Sequence, residues 1–315
     1  MEPASISIII VTLNRPDELE TIALPSMVDQ TYKKFEVIVW DASDNNESKR
    51  VCSEFAAKHP AIKLRYFKAP RKGLASQRND AVKEARGDIV FFIDDDAAIS
   101  SDGLQSLHDT FQDPQITGAA LAVRLPHKGN KNVASFWGNI TRRAMLLSHV
   151  GPQRVCLLSG WALLPRDEKP SRPAQWLSGC SQAYRWEVFK DNCFEEKLEK
   201  FGGYAVNEDL QFSQKLFRQG KKLFIAEKGY VFHKYVSGNR MAGSGQFAAL
   251  FFNQYITWKT AVFPYKKISL FPFLWSWTSH ALCLACIDLL HPSLGWPKIK
   301  GICRAAIAIV ADILF

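Results

Sequence analysis

Along the first hundred residues, short apolar runs alternate with longer stretches in which polar and apolar positions recur at helical spacing. The β-branched run 5–12 is followed by a helical stretch 17–30, a second apolar run 35–40 and a second helical stretch 47–58. Residues 62–67 add a third strand. Residues 76–86 read as a third helix, with Gly87 placed for a left-handed cap, and 88–93 as a fourth strand. Strands alternating with helices predict an α/β fold with a mostly parallel sheet covered on both faces, and strands that are apolar throughout are what such a sheet requires. Sheets of this kind bind ligands at the carboxyl ends of their strands.

Polar residues collect where these strands end. Thr12, Asn14 and Arg15 follow the first, Asp41 and Ser43 the second, and Asp94, Asp95 and Asp96 the fourth, so all should face one rim. Three consecutive carboxylates repel one another unless they are solvated or share a cation, and oxygen donors suit a hard divalent ion. The competing reading is a solvated acidic turn. A nucleotide presents ring donors, ribose hydroxyls and phosphates. The rim offers a carboxylate for ring or ribose, an arginine for phosphate and acids for a metal. No G-x-G-x-x-G follows the first strand and no G-x-x-x-x-G-K-[ST] occurs in the chain, so the two commonest phosphate-cradling loops are absent. A diphosphate bound here needs a metal to offset its charge.

Four segments in this order and spacing resemble the family 2 glycosyltransferases: Val11-Thr-Leu-Asn-Arg-Pro16, Val39-Trp-Asp-Ala-Ser-Asp44, Gly73-Leu-Ala-Ser-Gln-Arg-Asn79 and Phe92-Ile-Asp-Asp-Asp96. The resemblance continues through Trp176-Leu-Ser-Gly-Cys180, Arg185-Trp-Glu-Val-Phe189, Glu208-Asp-Leu210 and His233, and covers about residues 5–240. It implies the GT-A fold, a Rossmann-like and mostly parallel sheet sandwiched by helices. It also implies inverting transfer from a nucleotide-diphosphate sugar, with Mn²⁺ or Mg²⁺ as cofactor. Thr12, Asn14 and Arg15 would line the nucleotide pocket, Asp41 would accept a hydrogen bond from the base, and Arg78 would approach the nucleotide or diphosphate. Asn79 is expected to order its loop through backbone hydrogen bonds. Within the D-x-D pattern, Asp94 would serve the ribose side or metal-bound water, Asp96 would ligate the metal, and Asp95 lies between them on the nucleotide side. His233, expected after a short strand 222–226 and a turn, would be the second metal ligand. Asp209 would be the general base and Glu208 would orient substrate or the loop 202–207. Carboxylates at the start of the predicted helix 210–218 are also ordinary helix-dipole partners.

The donor is expected to carry uridine or deoxythymidine, because Asp41 suits a pyrimidine imide. The acceptor is expected to be a hydroxyl of a saccharide or lipid-linked saccharide in cell-surface polysaccharide or glycolipid synthesis. The basic, aromatic stretch 124–143 is open to acceptor recognition or to a plain loop and helix, and the proline-bearing stretch 166–174 flanks the same region. Processive members of the family often carry Q-x-x-R-W, whereas this chain has Gln254-Tyr-Ile-Thr-Trp258, so addition of one sugar or a few is expected. Two alternatives are a sugar-phosphate nucleotidylyltransferase, which normally shows a glycine-rich loop where this chain has Thr12-Leu-Asn-Arg15, and a non-catalytic nucleotide-sugar binder, which should lack the base.

Charge divides the 315 residues unevenly. Residues 201–315 hold 13 Lys and Arg against 5 Asp and Glu, which accounts for nearly all of the net +9. The same third carries the apolar stretches 247–263, 268–290 and 302–315, with basic residues between them and Trp275, Trp277 and Trp296. Basic flanks beside tryptophan-rich apolar segments favour an anionic membrane surface over nucleic acid. The polar residues of 268–290 make a lone span costly, so a segment lying in the interface is expected. The chain therefore divides into a catalytic domain of residues 1–240, its nucleotide-binding half about 1–100 and its acceptor half 101–240, and a helical, apolar and basic extension 241–315. Seven cysteines without framework spacing fit a reducing compartment. The first residues show no secretory signal, so a cytoplasmic location at the inner membrane face is expected. Cys283 and Cys286 form a C-x-x-C pair read as buried helix residues.

Overall fold

The computed structural model describes residues 5–126, 154–163, 172–203, 205–234 and 243–314. Strands β1 (Ile6–Thr12), β2 (Phe35–Asp41), β3 (Lys63–Lys68) and β4 (Ile89–Asp94) are parallel, in the order β3-β2-β1-β4. Beyond β4 the sheet continues with β10 (Gln182–Arg185), antiparallel to both neighbours, then β6 (Ile116–Arg124), β11 (Lys222–His233) and β5 (Ala97–Ile99). Short β9 (Arg172–Ala174) pairs with β11, while β7 (Val155–Cys156) and β8 (Ala162–Leu163) form a separate hairpin. Strand alternation sends Ile9 and Val11 of β1 into one core and Ile6, Ile8 and Ile10 into the other, so both faces are covered. Thr12 pairs with Asp41, and Val11 with Asp94, which leaves β1, β2 and β4 ending level.

Several elements differ from the sequence expectation for identifiable reasons. The first helix is short turns of three kinds, α1 (Pro16–Glu18), a π turn Leu19–Ala23 and a 3₁₀ turn Pro25–Met27, because Pro25 has no N–H to continue a regular ladder. Strand β3 is not apolar throughout, since as the sheet edge it carries Lys63, Arg65 and Lys68. Helix α2 (Glu47–Lys58) is as expected. Helix α3 (Leu74–Val82) stops short of Gly87, which is not in a left-handed conformation. Glycine is required there by close approach: a Cβ would lie 2.6 Å from the backbone nitrogen of Ser7. The expected strand 222–226 and turn are one strand, β11, with a register shift between Ile225 and Tyr230 and Gly229 at φ +71°. This bulge lets the strand continue until His233 pairs with Ala97, directly beside the acidic triplet.

After α4 (Gly103–Thr110), helix α5 (Glu208–Arg218) precedes β11, and α6 (Gly243–Thr257), α7 (Leu270–Leu290) and α8 (Pro297–Leu314) follow it. Phe251, Phe252, Tyr255 and Ile256 of α6 share a core with Val90 and Phe92 of β4, so the core runs across residue 240. Gly301 lets α8 approach α6, where a Cβ would meet that of Phe247 at 2.5 Å. Gln254, Thr257 and Trp258 are buried, and Trp258 stacks on Phe273 at 4.2 Å. Helix α7 turns Phe273, Ser276, His280 and Asp288 inward. Cys283 and Cys286 fall off that stripe, so the expectation that both are buried fails: Cys283 is half-buried and Cys286 exposed.

Candidate active site

The residues expected at the rim do gather there, but several are turned inward. Thr12 donates from its hydroxyl to Asp95 Oδ2 at 2.7 Å. Arg15, expected to face phosphate, instead bridges the triplet, with Nη1 2.8 Å from Asp95 Oδ1 and Nη2 2.9 Å from Asp96 Oδ2. A guanidinium fork between two carboxylates relieves the repulsion of adjacent like charges. Burial, opposed by Arg15 and Thr12, pushes the Asp95 carboxyl up to about 7. Asp95, the least defined of the three from sequence, is thus an internal anchor. Asn14 adopts a left-handed φ of 55°, donates its backbone N–H to Ser43 Oγ at 2.7 Å and exchanges hydrogen bonds with Asp44. It ties the loop after β1 to the loop after β2. Asp41 is fully buried, accepting from the Ser43 N–H and the Tyr66 hydroxyl, each at 2.8 Å. The expected open carboxylate for a base ring is therefore covered, because these two donors draw it beneath the rim.

On the other flank the triplet meets the end of β11. His233 Nε2 lies 2.9 Å from Asp96 Oδ1 and 3.9 Å from Asp94 Oδ2. Burial works against the charged imidazole, but its bond to Asp96, together with Cys180 and Asp94, pushes its pKa up to about 11. Asp96 moves the opposite way: burial opposes its charge, and the contacts from His233 and Arg15 outweigh that and hold it well below the ordinary carboxylate range. Asp94 is the open member of the triplet, its side chain 31% exposed against 4% for Asp96. Carboxylate and imidazole donors converge here, a set that suits Mn²⁺ and tolerates Mg²⁺. Two donors 2.9 Å apart match adjacent positions on one ion at bond lengths of about 2.1 Å. Cys180, which carries no expected role as the last residue of the Trp176–Cys180 motif, joins the group. A sulfur, a ring nitrogen and a carboxylate oxygen of Cys180, His233 and Asp94 lie within 4.8 Å of one another.

Arg78 joins this flank to the acid pair. It lies beneath the rim rather than on it, 1% exposed, ion-paired with Glu208 and 3.3 Å from Asp94 Oδ1, and it donates to the Gly179 carbonyl at 3.1 Å. Arg78, expected to approach the nucleotide or diphosphate, has its guanidinium turned to Glu208, Asp94 and the Gly179 carbonyl. Glu208 and Asp209 open α5. Asp209 accepts from the Gly179 N–H and from the Leu210 N–H, each at 2.7 Å. Burial and the Asp94 charge raise its pKa against these two donors and Arg78. Burial and the neighbouring Asp209 likewise raise that of Glu208. Gly179 allows this crowding, because a Cβ would sit 2.9 Å from Glu208 Oε1 and 3.3 Å from Arg78 Nη2.

A second tier positions α3 and the loop before α5. Asn79 exchanges hydrogen bonds with the backbone of Phe194, at 3.0 and 2.8 Å, as expected from its place in the motif. Glu199 accepts from the Ser76 N–H at 2.7 Å and so occupies the N-terminus of α3. No sequence signal marks Glu199, because its partner is 123 residues away. Most of the stretch 124–143 and of 166–174, together with Tyr204 of the loop 202–207, lies outside the described residues.

Residues 7–166 match the family model described as glycosyl transferase family 2. Among proteins of similar sequence, GalNAc(5)-diNAcBac-PP-undecaprenol beta-1,3-glucosyltransferase of Campylobacter jejuni is 30% identical over 102 residues, 32% of this chain and 33% of that protein. Glycosyltransferase GlyA of Streptococcus pneumoniae is 28% identical over 117 residues, 37% of this chain and 16% of that protein. These matches span a third or less of the relatives' own length. In structure, the mannosyltransferase PcManGT from Pyrobaculum calidifontis, in complex with GDP-Man and Mn²⁺, superposes with a TM-score of 0.58 at 17% identity, covering 99% of this chain and 88% of that one. S. aureus TarS 1-349 in complex with UDP-GlcNAc gives 0.54 at 16% identity, covering 96% and 89%. The fold shared with these structures is GT-A.

Proposed function

The chain belongs to glycosyl transferase family 2, and from that premise we propose that it transfers a hexosyl or deoxyhexosyl unit, with inversion, from a nucleotide-diphosphate sugar to an acceptor hydroxyl. The acceptor is a saccharide or lipid-linked saccharide in cell-surface polysaccharide or glycolipid synthesis. Asp209 takes the proton as the hydroxyl oxygen attacks the anomeric carbon and the bond to the diphosphate breaks. The Gly179 and Leu210 N–H groups hold that carboxylate, and Arg78 bonds the Gly179 carbonyl. Asp94, Asp96 and His233 would hold a Mn²⁺ or Mg²⁺ ion, which supplies positive charge to offset the departing diphosphate. A uridine or deoxythymidine base is proposed from Asp41, which meets a ring imide once Tyr66 yields the oxygen it now holds.

The observation that carries this reading is the convergence of two separated acid groups on one buried arginine. Arg78 contacts Asp94 of the metal side and Glu208 beside the base. The test is transfer from a panel of nucleotide sugars, with Mn²⁺ or Mg²⁺, by wild type and Asp209→Asn. Transfer lost with donor affinity retained supports the base. Equal loss of both reduces Asp209 to a structural cap and revives the non-catalytic binder. The nucleotidylyltransferase alternative loses its footing with the family assignment.

The extension 241–315 is proposed to seat the enzyme on the cytoplasmic face of an anionic membrane. Residues Lys267–Leu290 are long and apolar enough to cross a bilayer, but Ser276, His280 and Asp288 face the protein body, which supports lying along the interface. The outward face carries Ile268, Phe271, Trp275, Ile307 and Ile313 at 56–73% exposure. Lys266, Lys267, Lys300 and Arg304 of the same extension are exposed. The two acids of this region are neutralised, Asp288 by Lys298 and Asp312 by Lys197 and Lys259. The boundary at residue 240 is thus one of role, since α6 belongs to the common core.

A further inference from the structure

We infer that Cys180 is a further donor to the metal ion of this site, and that its sulfur shifts the site's preference towards softer ions. The inference rests on the metal site proposed above. The three ligand atoms of Asp94, Cys180 and His233 fall within 4.8 Å of one another. Bond lengths of about 2.3 Å to sulfur and 2.1 Å to nitrogen set a maximum separation of about 4.4 Å for two donors on one ion. Only one pair can reach that limit and the others need about 3–3.6 Å, so closing the group takes shifts of up to about 1–2 Å, within reach of side-chain torsions.

Cys180 is built in rather than incidental. It is 4% exposed, with its sulfur grouped beside the His233 ring nitrogen. Its 3₁₀ turn, Gly179–Ser181, is pinned on both sides. Asp209 accepts from the Gly179 N–H, and the Ser181 hydroxyl bonds both the N–H and the carbonyl of Leu121, each at 3.0 Å. Ser178 Oγ lies 3.5 Å from the sulfur. Among the described residues, Cys180 is the cysteine grouped with carboxylate and imidazole donors.

The consequence is chemical selectivity. Carboxylates and one imidazole favour Mn²⁺ or Mg²⁺, whereas a thiolate favours Zn²⁺, Co²⁺ and Cd²⁺. On binding, the thiol proton leaves to solvent and a metal–sulfur bond forms in its place. Zn²⁺ should therefore displace Mn²⁺ from this enzyme more readily than an oxygen-and-nitrogen site allows.

The experiment is Co²⁺ titration of the full chain, reduced and free of donor, followed by the thiolate-to-cobalt charge-transfer absorption in the near ultraviolet. Wild type should show the band. Cys180→Ser and Cys180→Ala should lose it while retaining Mn²⁺ affinity within about threefold by electron paramagnetic resonance, and Zn²⁺ should compete against Mn²⁺ at least about tenfold less well in both. Two variants guard against misfolding of one, and thermal melts confirm folding. Bound Co²⁺ without the band, or a band that survives both substitutions, overturns the role of Cys180 and leaves the metal site standing. Failure of wild type to retain Co²⁺ or Mn²⁺ overturns both.

Discussion

Replacing Arg78 by methionine should destabilise the protein by removing a charge rather than by opening a cavity. The guanidinium lies 5.6 Å from the ring centroids of both Phe92 and Phe194, so an unbranched apolar side chain of similar length keeps much of that packing. What is lost is the partner of Glu208, which is 6% exposed. Breaking a buried ion pair from one side costs about 3–5 kcal/mol. Protonation gives Glu208 an escape, and burial beside Asp209 already raises its pKa in the wild type, so the penalty stays below the about 3.7 kcal/mol that neutralising an ordinary carboxyl of pKa about 4.3 costs at pH 7. Asp94 is partly solvated, so loss of its 3.3 Å contact adds little. The penalty exists above the unfolded pKa of Glu208 and fades as pH falls towards it, to no more than about 1 kcal/mol at pH 5. Urea unfolding followed by tryptophan fluorescence measures this at both pH values. Arg78→Met with Glu208→Met should recover stability to within about 2 kcal/mol, because no uncompensated charge remains, yet it should transfer sugar poorly because the Gly179 turn that donates to Asp209 has lost its bond from Arg78. Unfolding of Arg78→Met like wild type at pH 7, or a double variant no more stable than the single, would refute a charge origin for the loss.

Three further outcomes follow from the same geometry. With Asp209 as the proposed base, its raised pKa should place the acid limb of kcat/KM above the ordinary aspartate value of about 3.9, activity being retained at higher pH, and Asp209→Asn should lower the rate by at least about 100-fold. Gly179→Ala should cost about 1–3 kcal/mol in a thermal or urea melt, since its Cβ would press on Glu208 and Arg78; an unchanged melt would show that the turn yields freely. Leu274→Glu combined with Trp275→Glu should weaken sedimentation with anionic vesicles by roughly tenfold or more while leaving transfer to a soluble acceptor unchanged; unchanged sedimentation would remove this face from membrane binding. Truncation at residue 240 is the poorer test, because it deletes α6 from the core.

The strands and the rim are legible in the sequence because each depends on local pattern. Apolar runs separated by helical spacing predict β1 to β4, and polar residues at their ends predict which side of the sheet carries chemistry. The segment 227–232 reads as a turn because Gly229 signals a break equally well in a turn and in a bulge, and the flanking strand pairs alone distinguish them. Gly87 suits a left-handed cap by its position, although contact with Ser7 is what excludes a side chain. Within the site, residue types are readable but their directions are not. Asp41, Arg15 and Arg78 look alike as polar rim residues in one dimension, yet each is drawn inward by partners from other segments.

The sequence by itself determined the fold class, the rim and the membership of the acid clusters, since hydrophobic period and strand ends are properties of neighbouring residues. Tertiary structure decided which carboxylate stands open and which is clamped. The triplet is three identical side chains in consecutive positions, separated in role by Thr12 and Arg15 from 81 to 83 residues away, and by His233 at the end of a bulged strand. Burial and partner charge set what a carboxylate does, and both are supplied by residues that spacing along the chain does not connect.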